Sequence, residues 1–278
     1  MFDDIQVLGR EGALTTQNKV LRNTYMMLGL TMIPTVIGAF IGMSINFSII
    51  ALHPFMAFGA FMLVTIGMQM AITANRNNSL GIVLLFAYTF LLGLMMGPLL
   101  QHAAHLQNGG QLVGLAAGST GLIFLTMAAI GTNTKKDFSY MGKFLSIGIM
   151  VAFIAIIANM FLHLPAFSIA ISSIFVLISS AYIMYEVNQI VRGGETNYVM
   201  ATLSLFISIY NIFTSLLNIL MSFSGRDWAL NGFKKHWKPI ENPRKRVFFF
   251  KSSGFFARHS GEGQNPVKAA VTTGYILM

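Results

Sequence analysis

The sequence contains no cysteine. That excludes a disulfide framework, a thiol nucleophile and any cysteine-based metal site. Charge is scarce too. Only 10% of the 278 residues are charged, while 55% are hydrophobic; soluble domains carry about 25% charged residues. Between Thr24 and Ser222 the charged residues are Arg76, Lys135, Lys136, Asp137, Lys143, Glu186, Arg192 and Glu195. No nucleotide-binding loop, catalytic triad or metalloprotease helix motif is present. No aspartate falls inside an apolar run, which excludes a pair of intramembrane aspartates. A soluble enzyme is therefore not expected, and neither is a cofactor. The net charge of +9 suggests nucleic acid only superficially, because ten of the 18 basic residues follow Ser224 and belong to a tail.

What is present is a series of long apolar stretches, each near the roughly 20 residues that cross a bilayer as helix. The first is too long for a signal-peptide core and lacks a small-x-small cleavage site, so it reads as a retained span. The pattern predicts an all-α integral membrane protein, a seven-transmembrane-helix bundle with an irregular C-terminal tail, whose solvent is the lipid bilayer. The predicted spans are 22–44, 52–73, 79–101, 109–131, 141–163, 166–188 and 198–222. Asn77-Asn78-Ser79, Asn108-Gly109-Gly110, Leu164-Pro165 and Gly193-Gly194 punctuate them. Three regions follow: an exposed N-terminal arm (1–21), the seven-helix domain (22–227) and a basic C-terminal extension (228–278) expected to be disordered. The extension reads as an adventitious addition or as a membrane-surface anchor.

Lysine and arginine alternate between the loops. They occur in the arm and in the second, fourth and sixth loops, and are missing from the first, third and fifth. This places the N-terminus in the cytoplasm. Seven spans would then carry the basic tail outside, which its charge argues against; either the last segment re-enters without crossing, or the tail is an addition that arrives after topology is set.

Gly38 and Gly42, Gly93 and Gly97, and Gly114 and Gly118 are small residues four apart, which allow close helix contact in lipid. Packing within one bundle is the expected use. His102 and His105 lie near an outer loop without further ligands for zinc, and read as interfacial histidines.

Glu186 is the acidic residue inside a predicted span. There an ionisable group costs at least about 2.5 kcal/mol at the bilayer centre and less near an edge. Ser172, Ser179, Tyr182, Glu186 and Gln189 share a face of the sixth span. Ser204, Ser208, Asn211, Ser215 and Asn218 form a matching polar stripe on the seventh, at the same packed-helix period. Lipid-facing positions are not lined with serine and asparagine, so the two stripes are expected to face the interior and each other. Two readings of Glu186 stand side by side: a proton or cation site with Ser204, Ser208, Asn211 and Gln189 around it, or an interfacial carboxylate held by interhelical hydrogen bonds.

Several segments carry a resemblance. Lys19-Val20-Leu21-Arg22-Asn23-Thr24-Tyr25, Gly97-Pro98 and Lys135-Lys136-Asp137 with Gly142 form one group. Ala158-Asn159, Leu164-Pro165, Ala170-Ile171-Ser172, Gly193-Gly194-Glu195-Thr196-Asn197-Tyr198 and Tyr210-Asn211-Ile212-Phe213 form another. Over about residues 18–227 the chain resembles the Bax inhibitor family, in particular its bacterial YccA-like branch. The resemblance implies a seven-helix bacterial inner-membrane protein with a cytoplasmic N-terminus. It also implies one of two activities: modulation of a membrane-anchored AAA protease of the FtsH type, or a pH-sensitive calcium leak using two aspartates on the last two helices. Glu186 matches the first aspartate. Ser208 stands at the second, so a leak here would depend on one titrating group rather than a coupled pair.

Overall fold

The computed structural model describes residues 2–47, 53–134, 138–162 and 164–236, with side-chain surroundings for those between 17 and 224. Among the described residues every regular element is a helix. In chain order they are α1 (Phe2–Ser44), α2 (Pro54–Ala74), α3 (Ser79–Met95), α4 (Gly97–Ala104), α5 (Gly109–Asn133), α6 (Met141–Leu162), α7 (Pro165–Arg192) and α8 (Tyr198–His236). Seven membrane-length apolar segments result: Gln17–Ser44 within α1, α2, α3 with α4, α5, α6, α7, and Tyr198–Ser224 within α8. This is the seven-helix membrane bundle expected.

The third span is two helices because of Gly97-Pro98. Proline cannot supply the N–H that its fourth preceding carbonyl needs. That carbonyl belongs to Leu94, and its oxygen lies against Gly42 of α1. α3 stops at Met95, and α4 restarts one residue later with Pro98 in its first turn. Gln101 on α4 reaches back to α1, its Nε2 donating to the carbonyls of Met43 (2.9 Å) and Ile45 (2.8 Å). Those carbonyls at the end of α1 have no partner within their own helix.

α1 and α3 approach closely enough for their backbones to touch. A Cβ on Gly38 or Gly42 would collide with the Phe90 or Leu94 carbonyl, and one on Gly93 or Gly97 with the backbone of Thr35 or Gly42. The two glycine pairs thus pack against each other inside the bundle, as expected. The third pair differs: a Cβ on Gly114 or Gly118 of α5 would meet nothing within 4 Å.

α8 is the centre of the bundle and packs against α1, α3, α4, α5 and α7. Leu205, Phe206, Ile212 and Leu217 on it are fully buried. α2 and α6 stand at the rim, α2 against α3 and α6 against α7. Their rings meet at Phe55–Phe161 and Phe58–Phe153, with centroids 5.1 and 5.9 Å apart. Phe144 of α6 and Leu63 of α2 point outward, the surface that hydrocarbon solvates.

The helix that forms the first span is longer than the span itself: α1 begins at Phe2. Val20 and Thr24 are already buried. At the other end α8 continues past its apolar part as far as His236. Residues 237–278, the Lys135-Lys136-Asp137 segment and His163 lie outside the described residues.

Candidate functional site

The two polar stripes meet. Near one end of the α7–α8 pair, the Ser204 hydroxyl hydrogen-bonds both the Glu186 carboxyl group and Tyr182. Near the other end, Asn218 Nδ2 donates to Ser172 Oγ (2.8 Å) and Ser168 Oγ (3.2 Å). Both contacts have the same antiparallel register, so Ser179 is level with Asn211 and Tyr182 with Ser208. The seam is therefore continuous, with Glu186, Ser172, Ser179, Ser208 and Ser215 all buried along it.

The candidate residues occupy it unequally. Glu186 is 6% exposed and lies in the last two turns of α7. Ser204 is level with it. Ser208 is buried one turn deeper, and its hydroxyl donates within its own helix to the Ser204 carbonyl (3.0 Å). Asn211 is half-buried further down, its carbonyl accepting from Thr214 Oγ1 (3.2 Å). Gln189 turns elsewhere. Its Nε2 donates to Ser139 Oγ at the start of α6 (2.9 Å), and its Oε1 packs on Gly194. Three residues beyond Glu186, Gln189 is level with the first turn of α8, and the α6 side is closer than the seam.

The structure also supplies a carboxylate that the seam pattern misses. Glu195, in the α7–α8 loop, interacts electrostatically with Glu186. The loop holds it in place. Gly193 ends α7 in the left-handed conformation (φ 78°) that favours glycine. The N–H groups of Gly194 and Glu195 donate to the Gln189 carbonyl (2.8 and 3.3 Å). Glu195 Oε1 accepts from the Asn197 N–H (2.7 Å). Asn197 in turn caps α8, its Oδ1 accepting from the N–H groups of Val199 (3.0 Å) and Met200 (3.1 Å). This satisfies two of the donors a helix start leaves open. The Asn197 amide completes a cross-link, donating to the Arg76 carbonyl (3.0 Å) and Asn77 Oδ1 (2.9 Å) in the α2–α3 turn. An asparagine directly before an apolar helical run was the signal available for this cap.

Two further polar side chains brace the same face. Asn188 is fully buried on α7, and its Nδ2 donates to the Gly131 carbonyl of α5 (3.3 Å). Tyr25 of α1 hydrogen-bonds Thr132 of α5. Among the described residues no three His, Asp or Glu side chains gather as a metal site.

Comparison with known proteins shows the family. Residues 17–225 match the family described as "Inhibitor of apoptosis-promoting Bax1". The chain is 41% identical over 214 residues to a protein of Neisseria meningitidis serogroup A, covering 76% of this chain and 94% of that one. It is 40% identical over 216 residues to the protein named "Modulator of FtsH protease YccA" of Escherichia coli K12, covering 77% and 94%. A Pseudomonas aeruginosa protein is 36% identical over 208 residues, covering 75% and 91%. The matched region contains the whole of the bundle, the polar seam and the loop that closes it, and the chain belongs to the Bax inhibitor family.

Proposed function

We propose that this protein is a non-enzymatic regulator of membrane-protein quality control that modulates a membrane-anchored AAA protease of the FtsH type. It does so in the bacterial inner membrane, with its N-terminus on the cytoplasmic side. The observation that carries this reading is the 40% identity to the Escherichia coli modulator of FtsH along 94% of that protein's length. The loop charges support the orientation. Copurification of the full chain from native membranes tests it: an AAA protease should accompany the chain. Its absence both with and without cross-linking would overturn the reading.

A second reading has one observation in its favour. Glu186 is buried between α7 and α8 on a continuous polar seam, and intramembrane carboxylates mark ion or proton paths. On this reading the seam with Glu186, Ser204, Ser208 and Asn211 passes protons or calcium. Flux into vesicles containing the purified protein decides it. Glu186→Gln should abolish any pH dependence of that flux, and no flux above lipid background at any pH would remove the reading.

A further inference from the structure

We propose that the cleft between the rim helices α2 and α6 binds an anionic phospholipid: one acyl chain lies in the cleft, and the headgroup phosphate sits at its mouth between Arg76 and Lys143. The inference goes beyond protease modulation and ion passage. It depends on neither, nor on which membrane face is cytoplasmic.

The cleft is a V closed at one end, where Phe55 meets Phe161 and Phe58 meets Phe153. Toward the other membrane face the same sides of both helices are bare. On α2, Ile66, Gln69 and Thr73 continue the side that carries Phe55 and Phe58. With Met70 and Ala74 they line an open cavity of about 500 Å³. Ile66 is 49% and Met70 67% exposed. On α6, Met150, Ile149 and Ser146 share the side of Phe153, and all three are exposed. α2 is held mainly by α3 and α6 by α7, which lets the pair diverge. The polar groups of the α2 wall are satisfied within the protein. Gln69 Nε2 donates to Tyr88 Oη (2.9 Å), and Thr73 Oγ1 to the Gln69 carbonyl (2.8 Å). What the wall offers is therefore hydrocarbon contact.

Length selects the kind of occupant. From Ile66 to Ala74 the open wall runs about 12 Å at 1.5 Å per residue. One leaflet's share of a hydrocarbon core of about 30 Å is about 15 Å. An acyl chain needs that depth and no more. A partner's transmembrane helix would need the full height, and the phenylalanine pairs close the cleft before the far face.

Charge selects the headgroup. Arg76 follows the end of α2 by two residues, and Lys143 lies in the first turn of α6. Each wall thus ends in a cation at the same membrane face. Both are exposed, and among the described residues neither has an acidic partner. Glu195, on this face, is held in the α7–α8 loop with Oε1 on the Asn197 N–H. Lys135-Lys136-Asp137, which leads into α6, adds net positive charge. Long basic side chains keep their stems in hydrocarbon and their charge at headgroup level, and basic pockets between membrane helices suit anionic headgroups.

The natural chain has no cysteine, so a fluorescent label can be placed at Met70→Cys in the cleft. Leu63→Cys, on the outward side of α2 and 77% exposed, is the control. The full chain is reconstituted in vesicles of phosphatidylcholine containing a small fraction of phosphatidylglycerol, with bromine on the acyl chains of one lipid or the other. Each cation near the surface is worth roughly fivefold toward an anionic lipid. Per mole, brominated phosphatidylglycerol should therefore quench the Met70→Cys label roughly thirtyfold more effectively than brominated phosphatidylcholine. The Leu63→Cys label should show little preference. Arg76→Gln with Lys143→Gln should bring the cleft label down to the control. Native mass spectrometry of the unlabelled chain gives a second readout: a retained phosphatidylglycerol should be lost in Ile66→Trp, which fills the cleft. Equal quenching by the two lipids at Met70→Cys would overturn the proposal. So would a preference that survives the double glutamine variant. A cleft label that neither lipid quenches, while the control is quenched, would show that protein occupies the cleft and would overturn it too.

Discussion

Adding one methyl group at Gly93 separates close helix packing from mere helix propensity. A Cβ there would lie 2.9 Å from both the carbonyl carbon and the Cα of Thr35, and closer still to its oxygen. These are backbone atoms of α1, so no side-chain rotation relieves the clash and the two helices must move apart. Overpacking of this kind costs typically 1–3 kcal/mol. The neighbouring contacts at Gly38, Gly42 and Gly97 depend on the same separation, so Gly93→Ala belongs at the upper end, about 3 kcal/mol. At about 2–4 °C per kcal/mol for a chain of this size, the midpoint should fall by roughly 6–12 °C. Gly118→Ala is the matched control. It adds the same methyl group to a helix interior with nothing within 4 Å, and alanine there should raise helix stability by about 0.5–1 kcal/mol. The assay is heating of the purified protein in detergent followed by size-exclusion chromatography of what stays monodisperse. Equal midpoints for the two variants, or a lower one for Gly118→Ala, would refute the α1–α3 packing described above.

Three further outcomes are expected. Asn218→Ala removes both donor contacts at the far end of the seam; interhelical hydrogen bonds in membranes average about 0.6 kcal/mol each, so the same assay should show a loss of about 1 kcal/mol. A cysteine introduced at Ala166, just after the α6–α7 turn, should react with an impermeant reagent added from outside the cell, and reaction from the cytoplasmic side alone would reverse the proposed orientation. Deleting residues 237–278 should leave membrane insertion intact, since the last apolar segment ends at Ser224; membrane fractionation of the truncated chain checks this.

The number of membrane spans was legible because bilayer thickness sets a minimum apolar length and turn residues separate the runs. The Gly38/Gly42 and Gly93/Gly97 pairs were legible for a similar reason: glycine at a four-residue spacing has few uses in lipid other than contact. Spacing alone could not separate these pairs from Gly114/Gly118, which carry the same pattern and meet no neighbour. The α7–α8 seam followed from helical periodicity, but Gln189 did not stay on it. A side chain in the last turn of a helix meets the loops around it, here Ser139, rather than the partner helix. Asn197 entered only as part of a family pattern, and Glu195 only there and among the few charged residues, with no role for either. Their hydrogen bonds join α8 to a turn some 120 residues earlier in the chain, a distance over which no local spacing rule operates. Which helix would be central was signalled faintly: the apolar part of α8 is the least hydrophobic of the seven, and α6, the most hydrophobic, stands at the rim. In lipid, polar side chains need protein neighbours while apolar ones do not.

The central place of α8 bears on how the chain is made. It is the last of the seven membrane segments to leave the ribosome, so the four spans that pack against it are inserted before their common neighbour exists. Until it arrives, the inward faces of α1, α3, α4, α5 and α7 line an unfilled centre, with Ser172 and Ser179 exposed to lipid or to one another. α8 then has to enter between helices already in the bilayer. Any nascent chain that stops short of Tyr198 is an assembly without a core, and its unsatisfied polar faces are what membrane surveillance would detect. A protein proposed to work beside a quality-control protease is therefore, during its own synthesis, a demanding client for one.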